Sequence, residues 1–141
     1  MNSVKLTDSL AVAGQITPQD VAGIAAAGYK VLINNRPDGE ESAQPSGAAI
    51  AAAARQAGLE YHHMPVTALS FPGPDFDAMS DLLDDPARPV FAFCRTGTRC
   101  ANLWVAGCEE SARDNAIRVA TQRGFDLSMA AKYIAQRAPH D

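Results

Sequence analysis

Short unbroken apolar runs alternate along this chain with longer stretches whose apolar positions recur every three or four residues. The runs at 10–13, 29–34, 59–66 and 89–93 are too short for helices and predict four strands. Between the first two, Thr17 can cap a helix, Pro18 suits its first turn and Asp20 favours the dipole. Val21, Ile24 and Ala25 then share one face, and Gly28 is placed to end it. An alanine-rich helix over 46–57 stops at Gly58, and a third spans 75–84. Helices over 101–108, 110–123 and 126–137 complete the pattern, the last two separated by Gly124-Phe125. No repeat, low-complexity tract or linker divides the chain, which predicts one domain over 1–141 with its core at about 5–138.

Strands alternating with helices predict an α/β domain with a mainly parallel sheet covered on both faces. Right-handed crossovers leave few topologies. The expected spatial order is 1-2-4-3, with the run at 89–93 central. Ligands in such sheets bind beyond the C-terminal strand ends, at a topological switch point.

A formal charge of −4 argues against nucleic acid or an anionic membrane as partner. Three cysteines without metal-ligand spacing imply neither a disulfide framework nor a metal site, and no cofactor is expected. His62 and His63 are neighbours on a strand, so they face opposite sides of the sheet and cannot act as a pair of metal ligands. The first residues lack an apolar signal core and no run approaches a membrane span. A reducing, cytoplasmic setting is the expectation, and it suits a working thiolate.

The candidate chemistry sits directly after the fourth run, in Cys94-Arg95-Thr96-Gly97-Thr98-Arg99-Cys100. A cysteine at a strand tip, a small-residue loop and a helix N-terminus together make an anion cradle. The same field lowers a thiol pKa, so Cys94 is the expected nucleophile. Backbone N–H groups of residues 95–100 should hold an oxyanion over Cys94. Arg99 should approach it with bidentate geometry, while Arg95 faces the mouth. Cys100 is either a small buried residue standing where a hydroxyl would serve or a resolving thiol, and Cys108 is expected in the core. Arg36 and Asp38, in a loop on the same rim, either wall the pocket or brace the loop.

The segment Cys94 to Arg99 resembles the Cys-Arg-x-Gly-x-Arg loop of rhodaneses, and also the loop of cysteine-dependent phosphatases. It departs from the latter in having four residues between Cys94 and Arg99 instead of five, and in placing Phe93 where a histidine usually stands. Gly14-Gln15, Thr17-x-x-Asp20 and residues 31–40 resemble the front half of a small dual-specificity phosphatase-like domain. More closely, they are similar to a bacterial phosphatase-like family of unassigned function, also found fused to β-lactamase-like hydrolases of sulfide and persulfide metabolism. The similarity covers about residues 5–135. It implies a cysteine-phosphatase-type fold carrying a loop of rhodanese length, and a partner enzyme of sulfide or persulfide metabolism.

Two reactions begin with the Cys94 thiolate. A phosphatase forms a phosphocysteine and needs an acid to protonate its leaving alkoxide. Residues 61–70 contain no carboxylate, and Asp75 and Asp77 are the nearest. A sulfurtransferase forms a persulfide and expels sulfite or a thiolate, which needs little protonation. The missing acid, the short loop and Phe93 favour sulfur transfer between small donors and acceptors. Phosphatase action on a phosphate-like anion is the alternative, and a non-catalytic module binding an oxyanion or a partner is a third reading.

Overall fold

A computed structural model describes residues 2–137. Five strands form one sheet: β1 (Ser3–Thr7), β2 (Leu10–Ala13), β3 (Val31–Asn34), β4 (Glu60–His63) and β5 (Val90–Phe93). The helices are α1 (Val21–Ala26), α2 (Gly47–Ala57), α3 (Phe76–Leu83), α4 (Thr98–Gly107), α5 (Glu110–Gln122) and α6 (Ser128–Arg137). A 3-10 turn, Pro18–Asp20, leads into α1, and the Asp20 carboxylate accepts from Thr17 N–H at 2.9 Å. Ser46 caps α2 by accepting from Ala49 N–H, and Gly58 ends it in the left-handed region.

The sheet order is β1-β2-β5-β3-β4, parallel except for β1. The cysteine strand is central, as expected, but its neighbours differ from the 1-2-4-3 order. It lies between the strands at 10–13 and 31–34 rather than between those at 31–34 and 60–63. The crossover through α1 skips one position, and β5, buried at all four residues, fills that slot. Glu60-Tyr61-His62-His63 is the most polar parallel strand and takes the edge. Strand β1 escapes the sequence pattern because only Leu6 of its five residues is buried.

Alternation along the strands separates two cores. Val12, Val31, Ile33, Val90 and Ala92 face Met79 of α3 and Leu103 of α4. Leu32, Phe91 and Phe93 face Val21 and Ile24 of α1 and Ile50 and Ala54 of α2. Each large side chain so buried contributes about 1.5–3 kcal/mol. The alanines of α2 let it lie close against α1 and β4. On the other face, α5 and α6 close over α4 through Ala106, Ala116, Ala120 and Ala130. Helix α4 starts at Thr98 rather than at residue 101, which makes Arg99 and Cys100 first-turn residues.

Candidate active site

Strand β5 delivers Cys94 in register with β2. The Cys94 N–H donates to the Ala13 carbonyl at 3.1 Å, and Gln15 N–H returns a bond to the Arg95 carbonyl at 3.3 Å. Gly14 bridges Thr96, and a Cβ at Gly14 would lie 2.9 Å from the Arg95 carbonyl oxygen, so only glycine lets the loop approach this closely. Gly97 then turns the chain at φ 89° to cap α4. Thr96 and Thr98 brace the turn through a hydroxyl–hydroxyl bond of 2.9 Å.

The curl aims its donors at the Cys94 sulfur. Gly97 N–H reaches Sγ at 3.1 Å. The Cys94 thiol is lowered to about 6, chiefly by a hydrogen bond from the Cys100 thiol. Burial opposes the shift, while N–H groups of Cys100, Thr96 and Arg99 assist it. Cys100 moves the opposite way, well above its ordinary value, through burial, its bond to Cys94 and the nearby negative charge. The two sulfurs thus divide their roles, with thiolate at Cys94 and proton at Cys100. Cys100 thus stands, fully buried, where a hydroxyl was the expected donor.

Arg99 does not lean over Cys94. Its guanidinium donates to the Val66 carbonyl at 3.2 Å and to Glu40 Oε1 at 2.9 Å, and Cys94 has no exposed surface. The expectation of an open thiol beneath Arg99 is therefore not met in this conformation. The physical reason is competition: the buried thiolate is itself the anion on which the loop donors converge, and Glu40 takes the guanidinium. Glu40 also accepts from Arg36 Nε at 2.9 Å. Partial burial would raise its carboxyl, but the bonds from Arg99 and Arg36 outweigh this and hold it below the ordinary range.

Arg36 is 2% exposed and braces the loop instead of walling a pocket. It reaches Gln15 Oε1 at 3.0 Å and Glu41 Oε1 at 2.8 Å, and its carbonyl bonds His63 Nε2 at 2.8 Å. Glu41 extends the network to the exposed Arg95 at 3.2 Å. Asp38 accepts from Gly47 N–H at 2.7 Å at the start of α2, so it too braces. Glu40, Glu41 and Gln15 carry this network and were missed as site residues. Glu40 and Glu41 follow an arginine in the rim loop and Gln15 follows the first apolar run, but no local spacing pairs them.

Val66 reaches Arg99 because residues 64–66 continue alongside the end of β3. Met64 N–H bonds the Asn34 carbonyl, Val66 N–H bonds the Asn35 carbonyl, and Asn35 Nδ2 bonds the Met64 carbonyl. Asn102, buried within α4, ties the same helix end to α6. It donates to the carbonyls of Thr98 and Asp126 and accepts from Ala130 N–H. The loop after residue 66 carries a fully exposed Leu69 rather than an acid. Asp75 sits at the start of α3, and His62 is paired with Glu60 at 2.6 Å. Cys108, expected in the core, is half-buried in the wall of a groove of about 520 Å³ between α3 and α5.

Residues 3–111 match the phosphatase-like domain of beta-lactamase hydrolase-like proteins. The chain belongs to that family. A beta-lactamase hydrolase-like protein of Agrobacterium fabrum is 34% identical over 149 residues, covering 99% of this chain and 34% of its own length. Its counterpart in Xylella fastidiosa is 33% identical, with 98% and 33% covered. The chain therefore spans about a third of the curated relatives it matches. Among solved structures, a candidate phosphatase from Neisseria meningitidis is 37% identical with a TM-score of 0.75, covering 94% of this chain and 96% of that one. PTPMT1, at 11% identity and TM-score 0.70 with 96% and 98% covered, shares the fold alone. The phosphatase-like family and the shared fold fit the phosphatase alternative better than the preferred sulfur transfer, and the rhodanese-length loop sits within that fold.

Proposed function

We propose that this chain hydrolyses phosphate monoesters through a Cys94 phosphocysteine, with a preference for aryl phosphates. The observation that carries the reading is the Cys94 thiolate, held at about 6 by the Cys100 thiol and the loop N–H groups. The thiolate attacks phosphorus and the aryloxide departs. The loop N–H groups and Arg99, shifted from Glu40, then receive the phosphoryl oxygens, and water cleaves the phosphocysteine. The aryl preference follows from the proton donors. Glu40 is held ionised by two arginines, Asp38 is engaged at α2, and Asp75 sits at the start of α3. An aryloxide leaves without a proton, whereas an alkoxide does not.

Two proteins sharing the fold support phosphate-bearing ligands: PTPMT1 in complex with PI(5)P, and TpbA of Pseudomonas aeruginosa in complex with pTyr. No helix among the described residues is long and apolar enough to cross a membrane. Sulfur transfer keeps one specific observation, the four-residue spacing from Cys94 to Arg99. With it goes the partner enzyme of persulfide metabolism.

One experiment separates the readings. Turnover of p-nitrophenyl phosphate, phosphotyrosine, phosphoserine and thiosulfate plus cyanide is measured on the native chain and on Cys94→Ser. The expected result is aryl phosphate turnover far above phosphoserine, abolished in the variant. Thiosulfate turnover without aryl phosphate hydrolysis restores sulfur transfer. No turnover, together with slow alkylation of Cys94 at pH 6, leaves a binding module.

A further inference from the structure

We propose that the groove between the loop at 67–71 and α6 selects phosphate esters carrying an apolar group beyond the first aryl ring, with Leu69 as the selecting residue. This deepens the phosphate ester reading and rests on it for the phosphate end of the substrate. The groove, of about 200 Å³, is walled by Leu69 and Phe71 on one side and by Met129, Lys132 and Tyr133 on the other. A lone exposed leucine is ordinary. Leu69, however, is 100% exposed on a fixed turn at the lip of a groove. Thr67 N–H donates to Ser70 Oγ at 3.0 Å and Ser70 N–H to the Thr67 carbonyl at 3.2 Å, which closes the turn. Gly73 N–H donates to the Ser70 carbonyl at 2.8 Å, and a Cβ at Gly73 would lie 2.9 Å from Val66 Cγ2. The loop is thereby folded back on Val66, with Leu69 left outside.

Both walls start from the beginning of α4. The Val66 carbonyl accepts from Arg99 at 3.2 Å, and three residues of chain carry Leu69 at most about 10 Å from it. On the other side, Asn102 donates to the Asp126 carbonyl at 2.8 Å and accepts from Ala130 N–H at 2.9 Å, next to Met129. Arg99 and Asn102 are three residues apart on one helix, about 4.5 Å along its axis. An ester whose phosphate lies in the Cys94 loop thus has the groove within reach of a second ring. Phe71 and Tyr133 meet edge-on with centroids 6.2 Å apart, which ties the two walls together. Lys132 is the one charge among the described lining residues, so no carboxylate there repels the ester.

The test compares kcat/KM for phenyl phosphate and 4-biphenylyl phosphate on the native chain and on Leu69→Ser. Both esters expel aryloxides of similar basicity, so their ratio reads the groove rather than leaving-group chemistry. The native chain should prefer the biphenylyl ester by about 10-fold or more, as an apolar pocket can. Leu69→Ser should cut that preference several-fold through KM with kcat kept, and its unfolding midpoint should match the native chain because the side chain is exposed. Equal efficiency on the two esters, or a preference that Leu69→Ser leaves intact, overturns the inference while phosphate hydrolysis stands. Backbone amide shifts on Cys94→Ser cover the other failure. There 4-biphenylyl phosphate should move residues 68–71 and 129–133, whereas inorganic phosphate should move the Cys94 loop but not the groove. If the native chain hydrolyses neither ester, shifts at the groove uphold the inference although the hydrolysis reading fails. Groove shifts that are absent in that case overturn both.

Discussion

The Arg99 guanidinium rests 2.9 Å from the Glu40 carboxylate, a contact made across 59 residues of sequence. Through it, the rim loop after β3 governs a side chain on the first turn of α4. An incoming oxyanion competes with Glu40 for that guanidinium, or shares it.

Replacing Glu40 by Gln keeps an acceptor at the same place but removes its charge. Inorganic phosphate or arsenate should then bind the Cys94 loop several-fold more tightly, as expected for a part-exposed ion pair worth about 1 kcal/mol. Inhibition constants at fixed ionic strength measure this. Weaker binding in Glu40→Gln would show that Glu40 acts by orienting Arg99 instead of by restraining it.

Alkylation of Cys94 should follow the thiolate. The rate is low below pH 6, rises through about 6 and levels off above 7, because the folded value is lowered from 9.0 to about 6. Cys100→Ala removes the leading hydrogen bond and should move the midpoint up by about 1–2 units. Cys100→Ser keeps a donor and should stay near the native midpoint. Iodoacetamide rates read on the Cys94 peptide test both, and an unmoved midpoint in Cys100→Ala would remove Cys100 from the thiolate's support.

Gly14→Ala should cost about 1–3 kcal/mol, since the new Cβ meets the Arg95 carbonyl at 2.9 Å and the loop must shift. Thermal unfolding gives the loss, and Cys94 alkylation should change with it. A variant with native stability and native Cys94 reactivity would mean that the loop yields without strain.

Asn102→Ala should cost about 2 kcal/mol by leaving the Asp126 carbonyl and the Ala130 N–H without their partner inside the α4–α6 contact, while the Thr98 carbonyl keeps its helix bond. Urea unfolding measures it. A loss confined to a few tenths would show that water replaces both bonds.

Much of this was legible in the residues, and the failures have physical causes. The apolar runs identified β2, β3 and β5 because burial on both faces leaves no polar alternation to confuse them. The same uniformity hid their order, since two fully apolar strands compete equally for the centre. Strand β1 was invisible because its side chains are mostly exposed and its pairing is made by backbone. Cys94 was legible as a local motif, strand then glycine loop then helix. Glu40 was not, because its role depends on a contact that local spacing does not encode. The preference for sulfur transfer weighed a missing acid, a short loop and Phe93, all local features, whereas the phosphatase-like family is matched across residues 3–111.

Because β5 is inserted between β2 and β3, the sheet without it consists of two ribbons, β1 with β2 and β3 with β4. Neither ribbon can build a sheet, and a two-stranded ribbon is marginal by itself. The gap between them closes only when Val90–Phe93 arrives, pairing with both at once. The keystone of the architecture is thus the segment that ends at Cys94. A chain interrupted before Val90 lacks a complete sheet as well as the cysteine loop, so no well-folded intermediate without that loop should accumulate during synthesis.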